Sequence, residues 1–211
     1  MPNLVRGKAF MVEKYAGVKY SIPEGAIARK TIFTTANKPI IRAIKKTGRE
    51  LAERGIVPGT TGNISMRAPG GFIITATSSN LSDLSDDDLV MVHDFDFAGN
   101  ILKKAEGLKK PSSEIPLHWK LYSTRKDVNA IIHVHDPALT RQKVAEKLRL
   151  PITEKELTYG TLETADAVSE ILCSGTNVAI IRAHGIVVVG PTIEECTDRM
   201  IVLHRRGAHL K

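Results

Sequence analysis

Residues 130–135 read Ala-Ile-Ile-His-Val-His, a pattern that restricts what the surrounding chain can become. The apolar residues leading into it require a buried strand, and side chains at positions i and i+2 of a strand leave the same face. His133 and His135 therefore converge with no loop needed to bring them together. Polar groups without partners are costly in an apolar environment. Two arrangements remove that cost: ligation of a metal, or a strand end that reaches the polar rim of the sheet. A second apolar run, Asn177-Val178-Ala179-Ile180-Ile181, leads to His184, and Gly185 behind it permits a sharp backbone change or a close approach. On its own His184 also reads as a capped turn histidine. Together, two strand ends of one sheet place three imidazoles around a point, the donor set of a catalytic zinc site with one position open.

The 211 residues suffice for one domain with a sizeable core. Residues 1–37 carry weak periodicity and several Gly and Pro breaks, and are expected to form an N-terminal extension to a domain spanning 38–211. From Lys38 the spacing of Ile40, Ile41, Ile44, Leu51 and Ala52 predicts a helix that Pro39 can start and that ends by Arg54-Gly55. Strands are expected at 63–67, 72–75, 89–93, 101–102, 130–135, 177–181 and 186–189. Helices are expected from the Pro111-Ser112-Ser113-Glu114 start, with Ser112 or Ser113 as N-cap, at 138–148, at 163–173, and from Thr192, where Glu195 suits a capping box. This order implies an α/β fold: one mixed sheet with helices outside it.

Several classes of function are excluded. No run of about 18 apolar residues marks a membrane span, and the N-terminus lacks a signal-peptide pattern, so a cytoplasmic address is expected. Cys173 and Cys196 form no CxxC pair and read as two buried thiols. The net charge of +7 is spread along the chain with few aromatics between the basic residues, which argues against nucleic acid and suits attraction of an anionic substrate.

Glu114 sits at an expected helix N-terminus, where free N–H groups favour anions. With Ser112 and Ser113 beside it, this position offers a phosphate cradle next to a base. His118, four residues on, shares its helical face and reads as structural support rather than a ligand. Two turns, Gly59-Thr60-Thr61-Gly62-Asn63 and Thr75-Ala76-Thr77-Ser78-Ser79, adjoin strands and can present N–H and hydroxyl groups to an oxyanion. Neither is a Walker A loop.

In order along the chain, Thr61-Gly62-Asn63-Ile64-Ser65, Thr75-Ala76-Thr77-Ser78, Pro111-Ser112-Ser113-Glu114, His133-Val134-His135 and Ala183-His184-Gly185 resemble the class II aldolase/adducin family over about residues 38–205. The resemblance implies a single-domain, three-layer catalytic fold with a central, mostly antiparallel sheet. It also implies a zinc ion, or another divalent metal, on His133, His135 and His184, and usually a homotetramer with sites at subunit interfaces. Glu114 matches the acid/base carboxylate. Gly62, Asn63, Thr77, Ser112 and Ser113 match positions that bind the substrate phosphate, and Ser78 is expected to add its N–H. The implied reaction is cleavage of a ketose 1-phosphate, fuculose 1-phosphate-like, to dihydroxyacetone phosphate and an aldehyde through a metal-stabilised enediolate. Glu114 rather than Asp favours this over pentulose-phosphate epimerisation. A dehydratase of the methylthioribulose-1-phosphate type and a non-catalytic adducin-like module are the alternatives. The chain departs from the family in three places. Ala76 and Ser78 replace the Pro and Gly of the phosphate loop. The segment between His135 and Thr161 is short and lacks the region carrying the family's tyrosine proton donor, leaving Tyr159 as the nearby candidate. The sequence closes at His209-Leu210-Lys211 without a tyrosine-bearing tail.

Overall fold

The computed structural model describes residues 17–210. Its elements, in chain order, are β1 (Ile27–Ala28), α1 (Lys38–Glu53), β2 (Gly62–Ala68), β3 (Gly71–Thr75), β4 (Leu89–Asp96), β5 (Ile101–Glu106), α2 (Ile115–Thr124), β6 (Ala130–Val134), α3 (Gln142–Lys147), α4 (Leu162–Cys173), β7 (Val178–Ile181), β8 (Gly185–Gly190) and α5 (Ile193–Ala208). The strands form one sheet in the order β1-β5-β4-β3-β2-β6-β8-β7. Every pair is antiparallel except the short β1–β5 edge, so the sheet is mixed and mostly antiparallel.

Alternation along the strands divides the core into two layers. Ile64, Ile73, Ile132, Val134, Ile186 and Val188 face one side, where they meet Ile41, Ile44 and Leu51 of α1 and Cys196 and Met200 of α5. Ile74, Ile131, Val187 and Val189 face the other, against Leu117 and Leu121 of α2 and Val168 and Leu172 of α4. Each fully buried aliphatic side chain contributes about 1.5–3 kcal/mol, and the result is three layers with the sheet between helix pairs. His133 and His135 continue the Ile131 face, so the α2 layer is the side on which chemistry can be built. Among the described residues, no helix is long and apolar enough to cross a membrane.

Helix starts differ from the sequence expectation where local hydrogen bonds decide. The N-cap of α2 is Glu114 rather than Ser112 or Ser113; the Ser112 hydroxyl instead accepts from Glu114 N–H at 3.2 Å. The helix expected over 138–148 shortens to α3, because residues after Pro137 turn on Asp136: Ala138 N–H donates to its Oδ1 at 2.8 Å. At α5, Thr192 accepts from Glu195 N–H at 3.2 Å, which supplies the forward half of the expected capping box. Cys196 is buried, as expected, but Cys173 is exposed at the end of α4.

Residues 17–37 pack against the sheet. Ala105 N–H donates to Ala26 O at 2.8 Å, and Leu102 N–H to Ser21 O at 2.9 Å. Tyr20 is buried edge-on to Phe95, 5.7 Å between ring centres. The rest of the expected extension, residues 1–16, lies outside the described residues, as does Lys211.

Candidate functional site

Three segments bring the histidines together. His133 lies inside β6 with no exposure, between Asn63 on β2 and Val187 on β8. His135 follows the strand end, and His184 stands in the β7–β8 hairpin, where Ala183 takes a left-handed φ of 57°. A ligand atom from each ring falls within 4.8 Å of the other two. Gly185 makes this approach feasible: a Cβ there would lie 2.6 Å from Val134 O, 2.8 Å from His133 Cε1 and 3.0 Å from His135 Cδ2. Gly62 is constrained in the same way from β2, with φ 130° and a Cβ position 2.6 Å from His133 O.

The donor chemistry fits a divalent ion. His133 Nδ1–H donates to Ile186 O at 3.1 Å, which leaves Nε2, 3.1 Å from His135 Nε2, as the nitrogen a metal would take once it is deprotonated. Burial first, then the neighbouring His133 and His184, push the His135 pKa down to about 3, so the ring is neutral and able to ligate. Asp136 holds the chain just past His135; its Oδ2 accepts from His204 Nδ1 at 2.9 Å.

Glu114 is 3% exposed and joins this cluster from the start of α2. Its Oε2 lies 3.0 Å from His133 Nε2, and its Oε1 lies 3.7 Å from His184 Nε2. Burial alone would raise its pKa, but His133 and His184 outweigh that and hold the carboxyl well below the usual carboxylate range. Oε1 makes no hydrogen bond among the described residues, which leaves a buried acceptor aimed at the histidine cluster.

These groups open into a cavity of about 440 Å³. Its lining includes Gly62, Asn63, Thr77, Ser78, Ser112, Ser113, Glu114, His135, Tyr159 and His184, with Thr60, Thr61 and Ala76 completing it. Every catalytic, metal or phosphate residue expected from the sequence lines this cavity except His133, which lies behind it with no exposure. Ser78 takes φ 59°, a left-handed conformation that suits glycine, and this is the position where the family pattern has Gly. The turn is braced from below by Asp88, whose backbone carbonyl accepts from Ala76 N–H at 2.7 Å and whose carboxylate accepts from Ser79 Oγ at 2.8 Å. Lys109 Nζ lies 2.6 Å from the same carboxylate. No sequence signal marked Asp88, since nothing in its local pattern announces a partner 21 residues away. Tyr159 donates its O–H to Gly17 O at 3.2 Å, and Lys19 Nζ lies 3.8 Å from its ring centre.

The family described as Class II Aldolase and Adducin N-terminal domain matches residues 42–207. The L-fuculose phosphate aldolase of Methanococcus vannielii is 35% identical over 165 residues, covering 72% of this chain and 85% of that protein. The methylthioribulose-1-phosphate dehydratase of Azotobacter vinelandii is 36% identical over 97 residues, 46% of this chain and 44% of that protein. Among solved structures, the L-fuculose-1-phosphate aldolase of Thermus thermophilus shares the fold at a TM-score of 0.66 and 21% identity, covering 82% of this chain and 93% of that one. The chain belongs to the class II aldolase/adducin family, whose aldolases are metal-dependent.

Proposed function

We propose that this protein is a zinc-dependent aldolase that cleaves a fuculose 1-phosphate-like ketose 1-phosphate to dihydroxyacetone phosphate and an aldehyde. The observation that carries the reading is the placement of Glu114: a buried carboxylate 3.0 Å from His133, beside a three-histidine cluster and opening on a cavity rich in hydroxyl and backbone groups. His133, His135 and His184 would hold zinc or another divalent ion, which supplies Lewis acidity toward the oxygen atoms of the ketose and its enediolate. Ser112, Ser113, Thr77, Ser78, Gly62 and Asn63 would seat the phosphate and fix the carbon chain relative to Glu114. In the cleavage direction the C3–C4 bond breaks, its electron pair becoming the enediolate, and the C4 hydroxyl passes its proton to solvent as the aldehyde forms. In the same scheme Glu114 moves the proton that converts the enediolate to dihydroxyacetone phosphate. Tyr159 lines the cavity and would donate the C4 hydroxyl proton in the direction of synthesis, at the expense of its bond to Gly17 O. The reading includes a homotetramer with sites at subunit interfaces and a cytoplasmic location. It is supported by the similarity to the archaeal fuculose phosphate aldolase.

The partial match to a methylthioribulose-1-phosphate dehydratase favours one second reading, loss of water from a related ketose phosphate. A screen of C5 and C6 ketose 1-phosphates, with and without chelator, separates them. Metal-dependent release of dihydroxyacetone phosphate supports the aldolase, and loss of water with the carbon chain intact supports the dehydratase. A purified protein that takes up less than about one ion per four chains after zinc reconstitution is instead a non-catalytic member of the fold.

A further inference from the structure

A line of buried hydrogen bonds runs from the interior of α2 to Glu114, and its donors and acceptors can be assigned in only one consistent way. Asn63 lies 2.9 Å from Glu114 Oε2. A carboxylate only accepts, so Asn63 presents Nδ2 there and turns Oδ1 the other way. His118 Nε2 meets that Oδ1 at 2.5 Å, and must therefore carry the proton. His118 Nδ1 is then an acceptor, filled by the Ser65 hydroxyl at 2.7 Å. Ser65 Oγ in turn accepts from the Tyr122 hydroxyl at 2.8 Å. His118 and Ser65 have no exposure, so bulk solvent does not compete for these bonds. Asn63 is left with a second Nδ2–H, and it lines the cavity.

We infer that His118 is a positioning residue: by fixing the Asn63 amide, it holds one Asn63 N–H on Glu114 and turns the other to the phosphate end of the cavity. Asn63 thereby joins the base and the anion seat in one rigid unit, and His118 sets which way that unit faces. This deepens the aldolase reading and rests on it for the identity of the anion. The tautomer it requires does not.

The test has two arms. In solution, 15N NMR of the histidine-labelled protein should show His118 neutral with its proton on Nε2 at pH 7; a proton on Nδ1 overturns the inference whatever the reaction proves to be. In the second arm, inorganic phosphate binding, zinc content and kcat/KM are followed in His118→Phe, His118→Gln and His118→Asn. The Gln amide can reach the Nε2 position and donate to Asn63, whereas the Asn amide reaches only the Nδ1 position. Zinc content should stay near wild type in all three. Phosphate affinity and kcat/KM should fall about 10- to 100-fold in His118→Phe and His118→Asn and largely recover in His118→Gln. On an Asn63→Ala background, replacing His118 should cost nothing further. Equal losses with and without Asn63, or His118→Gln no better than His118→Asn, overturn the inference. Wild-type protein that neither binds phosphate nor cleaves ketose phosphates overturns the aldolase reading, and the tautomer still decides the role of His118.

Discussion

On one side of the cavity, His133, Asn63 and Glu114 sit in or against central strands, and each is almost wholly buried. On the other, Ser78 is exposed in a turn, and Tyr159 hangs from a loop tied to Gly17. The first side is held by strand register, by close contacts that only glycine permits, and by buried hydrogen bonds such as that from Asn63 to Glu114. The second is held by a few bonds from outside the turn itself, such as those of Asp88 beneath the 76–79 turn. Packed cores tolerate little displacement, whereas loops adapt and carry variation. The metal side is therefore expected to be intolerant of change, and the cradle side to set which sugar and aldehyde are accepted.

The largest effect should come from the metal side. His135→Ala removes one of three donors, and both bound zinc and turnover should fall to background when metal content and rate are measured on the same sample. Zinc content unchanged from wild type would place the metal elsewhere.

Next comes Gly185→Ala, which leaves every ligand in place. The added methyl must displace Val134 O or the two imidazoles, at 2.6–3.0 Å. A loss of about 1–3 kcal/mol in urea unfolding is expected, together with weaker zinc affinity. Gly59→Ala, where a Cβ meets nothing within 4 Å, tests the cradle loop by contrast; its φ of 66° strains the backbone, but zinc affinity should hold.

Acid should weaken the metal side through His118, whose pKa burial pushes down from 6.5 to about 3. The unfolded chain takes up that proton first as pH falls. Stability is therefore complete above about pH 6.5 and is lost progressively between 6.5 and 3, at up to roughly 1.4 kcal/mol per pH unit for this group. Urea midpoints of chelator-treated protein at pH 7 and pH 5 measure the loss, and His118→Gln should flatten the slope. The smallest effect belongs to the cradle. Ser78→Gly relieves a left-handed φ of 59° and should change stability by under about 1 kcal/mol, visible as a shift of a few degrees at most in Tm.

The same contrast explains how far the sequence could be read. His133 and His135 were legible because strand periodicity alone puts i and i+2 on one face, and His184 because Gly185 follows an apolar run. Helices α1 and α5 were legible because Pro39 and Thr192 mark their starts, and α4 from its apolar spacing alone; its Thr161 cap is seen only in the structure. The cavity floor was legible only in part. His118 could be recognised as support for Glu114 from its four-residue spacing, but Ser65 and Tyr122 acquire meaning only through partners more than 50 residues away. Residues 17–37 carried only weak periodicity, because they are held by isolated contacts with the finished sheet, such as Tyr20 O–H donating to Pro111 O at 3.1 Å. Asp136 redirected residues 136–140 into a turn, which no propensity of the following residues would reveal.

Glu114 is proposed to move a proton at the carbon that becomes the enediolate. Solvent deuterium exchange into the hydroxymethyl carbon of dihydroxyacetone phosphate, measured by NMR with no aldehyde present, isolates that step from bond cleavage and from the unknown sugar. Exchange is expected in the zinc-loaded protein, with a fall of about 10²- to 10⁴-fold in Glu114→Gln and zinc content unchanged. Exchange that persists at the wild-type rate in Glu114→Gln, or its absence from zinc-loaded wild-type protein that binds dihydroxyacetone phosphate, would contradict it.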